Sequence, residues 1–95
     1  MHKALLLLKR IPKGKVTTYK ALADACGTSP RAIGTVMRSN KNPVECPCYK
    51  VIRSDGSIGG YSGEGGIKVK IKLLKRDGVA IIKGRIDRAY VHAFD

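Results

Sequence analysis

The sequence predicts a mainly α domain with short strands, a winged-helix-like helix-turn-helix fold with a small C-terminal hairpin. Two observations carry that expectation. Two helix signatures lie back to back between Thr17 and Ser39, separated only by Gly27-Thr28-Ser29. Later in the chain, turn chemistry at Asp77-Gly78 and Lys83-Gly84 brackets short apolar runs. At 95 residues the chain is expected to form one domain spanning 1–95, large enough for a modest core.

Residues 2–10 read as a short helix with a leucine-rich face, ended by Pro12 and Gly14. Lys15-Val16-Thr17 is a short extended entry. Thr17 can cap a helix from about Thr18 to Cys26, with Leu22 and Ala25 inward and Gly27 as its left-handed stop. Ser29 then offers an N-cap and Pro30 a first helical position for a helix to about Ser39. Ile33, Val36 and Met37 make its core stripe, while Arg31, Thr35 and Arg38 lie on another side. This helix is slim near its start, at Ala32, Gly34 and Thr35. A slim face suits close approach to DNA or to a neighbouring helix, and the pattern alone does not choose.

Residues 40–49 read as a loop and Lys50 to Arg53 as a short strand. The turn Ser54-Asp55-Gly56-Ser57 follows, then a glycine-rich loop through Gly63. That loop lacks the Gly-Lys-Ser/Thr ending of a phosphate loop. Residues 67–74 are ambiguous. Ile67, Val69, Ile71 and Leu73 alternate with lysines as in a strand, yet Ile67, Ile71 and Leu74 share one helical face. Val79 to Ile82 and Arg85 to Asp87 then make the expected hairpin around Lys83-Gly84, before a short tail.

Composition narrows the partners. Lys and Arg number 19 against 7 Asp and Glu, a net charge of +12. Such an excess favours a polyanion, chiefly nucleic acid; a lysine-rich thermophilic surface is the plainer reading. Leu5 to Leu8 is too short for a membrane span or signal core, so an intracellular location and no membrane partner are expected. Three cysteines, an odd number, argue against a secreted disulfide framework.

Cys48 stands between Pro47 and Tyr49, just after the loop. A buried inert cysteine is the usual reading of such a residue. Its place beside proline argues otherwise, and Lys50 and Arg53 nearby would raise its thiolate fraction. Cys46-Pro47-Cys48 has no partner pair at zinc spacing, so neither metal nor cofactor is expected.

Several runs together resemble the C-terminal, DNA-binding and catalytic domain of the O6-alkylguanine-DNA alkyltransferases. They are Ile11-Pro12-Lys13-Gly14-Lys15-Val16-Thr17-Thr18-Tyr19, Arg31-Ala32-Ile33-Gly34-Thr35-Val36-Met37-Arg38 and Asn42-Pro43-Val44. The most specific is Pro47-Cys48-Tyr49-Lys50-Val51-Ile52, followed by Ser54 through Gly63. They keep the family's order over nearly the whole chain, without the variable N-terminal domain of larger members.

The resemblance implies single-turnover repair. A monomer would bind double-stranded DNA in the minor groove, rotate an alkylated guanine out of the stack and take its alkyl group onto Cys48. O4-alkylthymine is a further implied substrate. Arg31 would fill the gap left by the flipped base, its planar cation stacking there. Tyr19 would contact the base and crowd the flanking phosphate. Ala32, Gly34, Thr35 and Arg38 would line the narrow groove. Asn42 would order the active-site loop, the backbone of Cys48 and Val51 would read the guanine edge, and Tyr61 and Ser62 would close the pocket.

The chain departs from the family at two points. The family places histidine and arginine after its cysteine, where this chain has Tyr49 and Lys50. The glutamate that orients that histidine corresponds to Asp77. With an ordinary pKa of about 10, tyrosine is a poor base at neutral pH, so slower transfer is expected. His2 and His92 are not expected to substitute. The loop from Pro43 to Pro47 is also shorter than usual in the family. The second reading is therefore an alkyltransferase-like protein that binds lesions without transfer. Such proteins typically replace the cysteine, often with tryptophan. A plain helix-turn-helix transcription factor would need polar base readers that the slim helix lacks.

Overall fold

Three helices, a short parallel ribbon and a fourth helix make up the computed structural model, which describes residues 2–42, 44–61 and 65–94. Helix α1 spans Lys3–Leu8, and strand β1 is Thr17–Thr18. Helices α2 (Tyr19–Cys26) and α3 (Pro30–Arg38) follow. Strand β2 is Val51–Ile52 and helix α4 is Gly66–Arg76.

The helix-turn-helix has its expected punctuation, shifted by one residue at its start. Thr18, not Thr17, caps α2, its hydroxyl accepting from Ala21 N at 3.0 Å. The ribbon holds both threonines extended, Thr17 opposite Val51 and Thr18 opposite Ile52, so α2 starts at Tyr19 and Thr18 stands in the N-cap position. Gly27 takes the left-handed conformation after α2 (φ 68°), which glycine adopts without a Cβ penalty. Ser29 caps α3 by accepting from Ala32 N at 3.2 Å. Ile33 and Met37 are buried, Val36 packs against the core edge, and Arg31, Thr35 and Arg38 are exposed. In α2, Leu22 and Ala23 are fully buried, while Ala25 is half-buried.

The core has two parts, and the ribbon joins them. Val51 packs with Leu8, Leu22, Ile33, Cys46 and Cys48 among the first three helices. Its neighbour Ile52 packs with Val16, Ile58, Leu74, Val79 and Ile86. Successive side chains of a strand face opposite ways, so two residues of β2 tie both halves together. Cys48 lies three residues before this seam.

Residues 66–76 are helical, and the reason ambiguity existed is now visible. The buried residues of α4 are Lys70 and Leu74, four apart on one face, whereas Ile67 is 50% exposed. A lysine occupies the centre of the inward face, so the apolar letters alone suggested a strand as readily as a helix.

The C-terminal hairpin is reduced to one antiparallel bridge, Ile82 with Arg85, around Lys83-Gly84. Both turn residues have positive φ, 53° and 74°, as the tight hairpin turn requires. The expected ladder does not extend because Ile86 turns to a different partner: its N–H donates to Gly56 O at 2.8 Å. The tail then returns to the residue before β1, where His92 N donates to Val16 O at 2.7 Å. A Cβ at Gly56 (φ +90°) would sit 2.8 Å from Ile86 O. Gly56→Ala is therefore expected to cost about 2 kcal/mol or more, from left-handed strain plus this clash; urea unfolding at equilibrium measures it.

Candidate active site

Cys48 begins a single 3-10 turn, Cys48–Lys50, that the sequence reading had merged with the loop before it. Lys50 N donates to Pro47 O at 3.1 Å, and the N–H of Val51 returns to Cys48 O. The loop leading in is tied by asparagines. Asn40 Nδ2 donates to Cys46 O at 2.8 Å, and Asn42 O accepts from Cys46 N at 2.9 Å. Asn42 Nδ2 also donates to Glu45 Oε2 at 2.9 Å. Asn42 is thus exposed yet braces the approach to Cys48 through its backbone.

Cys48 is 8% exposed and lines an open cavity of about 850 Å³. Tyr19 from the start of α2, Arg31, Gly34 and Arg38 from α3, and Tyr61 from the glycine-rich loop line the same cavity. The helix-turn-helix and the cysteine turn therefore share one recess. Gly34 gives α3 its slim wall: the nearest atom to a Cβ there would be Arg38 Nη1, at 3.8 Å. Thr35 is exposed; its hydroxyl donates to Arg31 O at 3.4 Å and accepts from Arg38 Nη2 at 3.3 Å, steadying that arginine. Ala32 is half-buried and does not line the cavity. Val51 is buried and does not line the cavity, and its carbonyl accepts from Lys70 Nζ. Ser62 lies outside the described residues, as does Pro43.

Electrostatics separates the tyrosines. Burial first, and Cys48 second, raise the Tyr19 phenol above its ordinary value, with Arg53 and Arg38 pulling it back. Burial and then Cys48 raise Tyr61 likewise. Both phenols therefore stay protonated and can donate hydrogen bonds into the cavity. Tyr49 does not line it. Burial and then the Asp77 carboxylate push its phenol up as well, further from any role as a base at neutral pH.

Asp77 acts on Tyr49 and also pairs with Lys50. Asp77 Oδ2 lies 3.2 Å from Lys50 Nζ and accepts from Gly14 N at 3.0 Å. Lys50 Nζ also donates to Ile11 O at 3.3 Å and Pro12 O at 3.1 Å. The Lys50 ammonium is thus bound to the 11–14 turn and to Asp77, rather than serving the thiol as the sequence suggested. Arg53 does line the cavity. His2 caps α1, its Nδ1 accepting from Ala4 N at 3.0 Å, and His92 stacks edge-on with Phe94. Neither lines the cavity.

One buried charge escaped the sequence reading. Lys70 is fully buried, and its Nζ donates to Val51 O at 2.6 Å and Gly60 O at 3.0 Å. A signal existed: on a helix, position 70 falls on the same face as Leu74. Among the described residues no cluster of three or more His, Cys, Asp or Glu could hold a metal, and no helix is long and apolar enough to cross a membrane.

Residues 1–79 match the family described as 6-O-methylguanine DNA methyltransferase, DNA binding domain. The chain belongs to this family. It is 53% identical over 78 residues to the methylated-DNA–protein-cysteine methyltransferase of Pyrobaculum aerophilum, a match covering 82% of this chain and 51% of the relative. The chain thus spans about half the length of that curated relative. The O6-methylguanine-DNA methyltransferase of Pyrococcus kodakaraensis superposes with a TM-score of 0.73 at 45% identity, over 81% of this chain and 44% of that one. Schizosaccharomyces pombe Atl1, solved in complex with damaged DNA containing O6-carboxymethylguanine, superposes with a TM-score of 0.84 at 25% identity. That match covers 97% of this chain and 93% of Atl1.

Proposed function

We propose that this member of the methyltransferase family repairs DNA by taking the alkyl group of O6-alkylguanine onto Cys48, once per molecule. The observation that carries this reading is a buried cysteine in one cavity with Tyr19, Arg31 and Tyr61. A flipped base needs a pocket, a plug for the vacated stack and donors for its edge. The cavity, the exposed Arg31 and the protonated phenols of Tyr19 and Tyr61 match those needs. Double-stranded DNA is the partner, the basic chain binds it as a monomer, and residues 1–95 act as one DNA-binding and alkyl-accepting unit. Asn42 orders the loop, and the backbone of Cys48 and Val51 reads the guanine edge.

In the reaction the Cys48 thiolate attacks the alkyl carbon in line with the bond to O6. The sulfur–carbon bond forms as the carbon–oxygen bond breaks, and guanine departs with the electron pair and regains a proton. The product is a stable thioether, so turnover stops at one. The test is stoichiometry: labelled methyl from an O6-methylguanine duplex should plateau at one methyl per protein, and protein-bound label well below that would refute it.

A second reading, lesion binding without transfer, draws on Tyr49 and on the end-to-end likeness to Atl1. In either reading Arg31→Ala should weaken lesion binding about ten- to a hundredfold, because the plug offsets part of a flipping cost of a few kcal/mol. Fluorescence anisotropy measures this. Affinity should also fall steeply with salt, given the net charge of +12.

A further inference from the structure

Lys70 presents an energetic problem that its hydrogen bonds do not solve. Its side chain is fully buried. An ammonium has three donors; two reach Val51 O and Gly60 O. Among the described residues no carboxylate forms an ion pair with it. A buried charge is costly unless paired with an opposite one. Burial brings Lys70 down to about 8; Cys48 acts the other way and favours the charged amine, while Arg53 disfavours it. The geometry supports the same pairing. Lys70 Nζ bonds the carbonyl of Val51, whose own N–H bonds Cys48 O. Helix α4 thereby reaches the cysteine turn from beneath.

We propose that Lys70 is the positioning cation of the site, its buried ammonium balancing the Cys48 thiolate where Tyr49 gives no base. The inference rests on Cys48 being the alkyl acceptor. Beyond Lys70 of α4, on which Cys48 acts, the charged groups that share the cavity with Cys48 are Lys20, Arg31 and Arg38 of the helix-turn-helix and Arg53 and Asp55 after β2, together with the phenols of Tyr19 and Tyr61. Lys50 is held elsewhere by Asp77. The two carbonyls that Lys70 grips also fix β2 against the glycine-rich loop, so one side chain sets both the charge and the width of the pocket. Alkylation cancels the charge on sulfur. The ammonium then loses its counter-charge, and the proton it gives up balances the one that the departing guanine takes.

The test needs no alkylated DNA, so it can fail independently of the transfer reading. The probe is iodoacetamide, with modification of Cys48 resolved from Cys46 and Cys26 by tandem mass spectrometry across pH 6 to 10, a range chosen to bracket ordinary thiol titration. Lys70→Gln keeps a donor for the carbonyls but no charge; Lys70→Arg keeps the charge. At pH 7 the Gln variant should react at least about tenfold more slowly than wild type, a deficit that closes as pH rises past 9, while Arg stays within about threefold. Equal rates for wild type and the Gln variant at pH 7 would overturn the proposal, as would Tyr49→Phe showing the pH-dependent loss instead. A second measurement uses the unaltered protein. The Lys70 Nζ titration, followed by NMR, should move to lower pH once Cys48 is capped with iodoacetamide; an unmoved titration would also overturn it.

Discussion

Cys48→Ser is expected to reduce alkyl uptake from O6-methylguanine DNA by more than about a thousandfold, because a hydroxyl in the thiol's place is almost wholly protonated and a poor nucleophile. Lesion binding should change by no more than about threefold, since the substitution is nearly isosteric in a pocket that already exists. The contrast matters because Cys48 sits in a 3-10 turn in the wall of the cavity, not on α3. Loss of both properties together would mean that the substitution disturbed the turn, and circular dichroism would register it. Uptake by the Ser variant close to wild type would remove Cys48 from the reaction.

The second large effect concerns stability. Lys50→Met should destabilise the protein by about 3 kcal/mol, because it leaves a mostly buried carboxylate without its cation. The side chains of Lys50 and Asp77 are only 6% and 11% exposed, and Lys50 also satisfies two carbonyls of the 11–14 turn. Removing both charges in Lys50→Met with Asp77→Leu should recover part of the loss, which a double-mutant cycle measures. By contrast, breaking the exposed Lys20–Asp24 pair should cost well under 1 kcal/mol. A Lys50→Met loss as small as that would show that the tie to the N-terminal turn carries little energy.

The parts of the fold governed by local chemistry were legible in the sequence. Ser29-Pro30 starts α3 and Gly27 stops α2 because caps and left-handed stops depend on neighbours within a few residues. The run from Pro47 to Ile52 marked the cysteine turn through its resemblance to the family. What escaped depends on tertiary partners. The ribbon holds both Thr17 and Thr18 extended opposite Val51 and Ile52, which delays the start of α2 to Tyr19. The hairpin after Val79 is curtailed because Ile86 bonds Gly56. Lys50, two residues after Cys48, suggested an activating charge, but its long side chain reaches Asp77, while the buried ammonium under β2 comes from Lys70, 22 positions after Cys48 in the numbering. Sequence proximity is a poor guide to electrostatics when side chains are long and helices can deliver charge from below.

The same geometry explains why Tyr49 need not disable the site. The tyrosine lies off the cavity beside Asp77, and that carboxylate is engaged by Lys50 and Gly14. Restoring a histidine at position 49 would therefore place it next to an orienting group that already has partners.

The most direct measurement is a peptide mass map after incubation with duplex DNA containing O6-methylguanine. The account predicts one methyl group on the peptide bearing Cys48, localised to that sulfur by fragmentation and absent after incubation with undamaged DNA. Tight binding of the damaged duplex with Cys48 unmodified would contradict it and leave the protein a lesion binder that does not transfer.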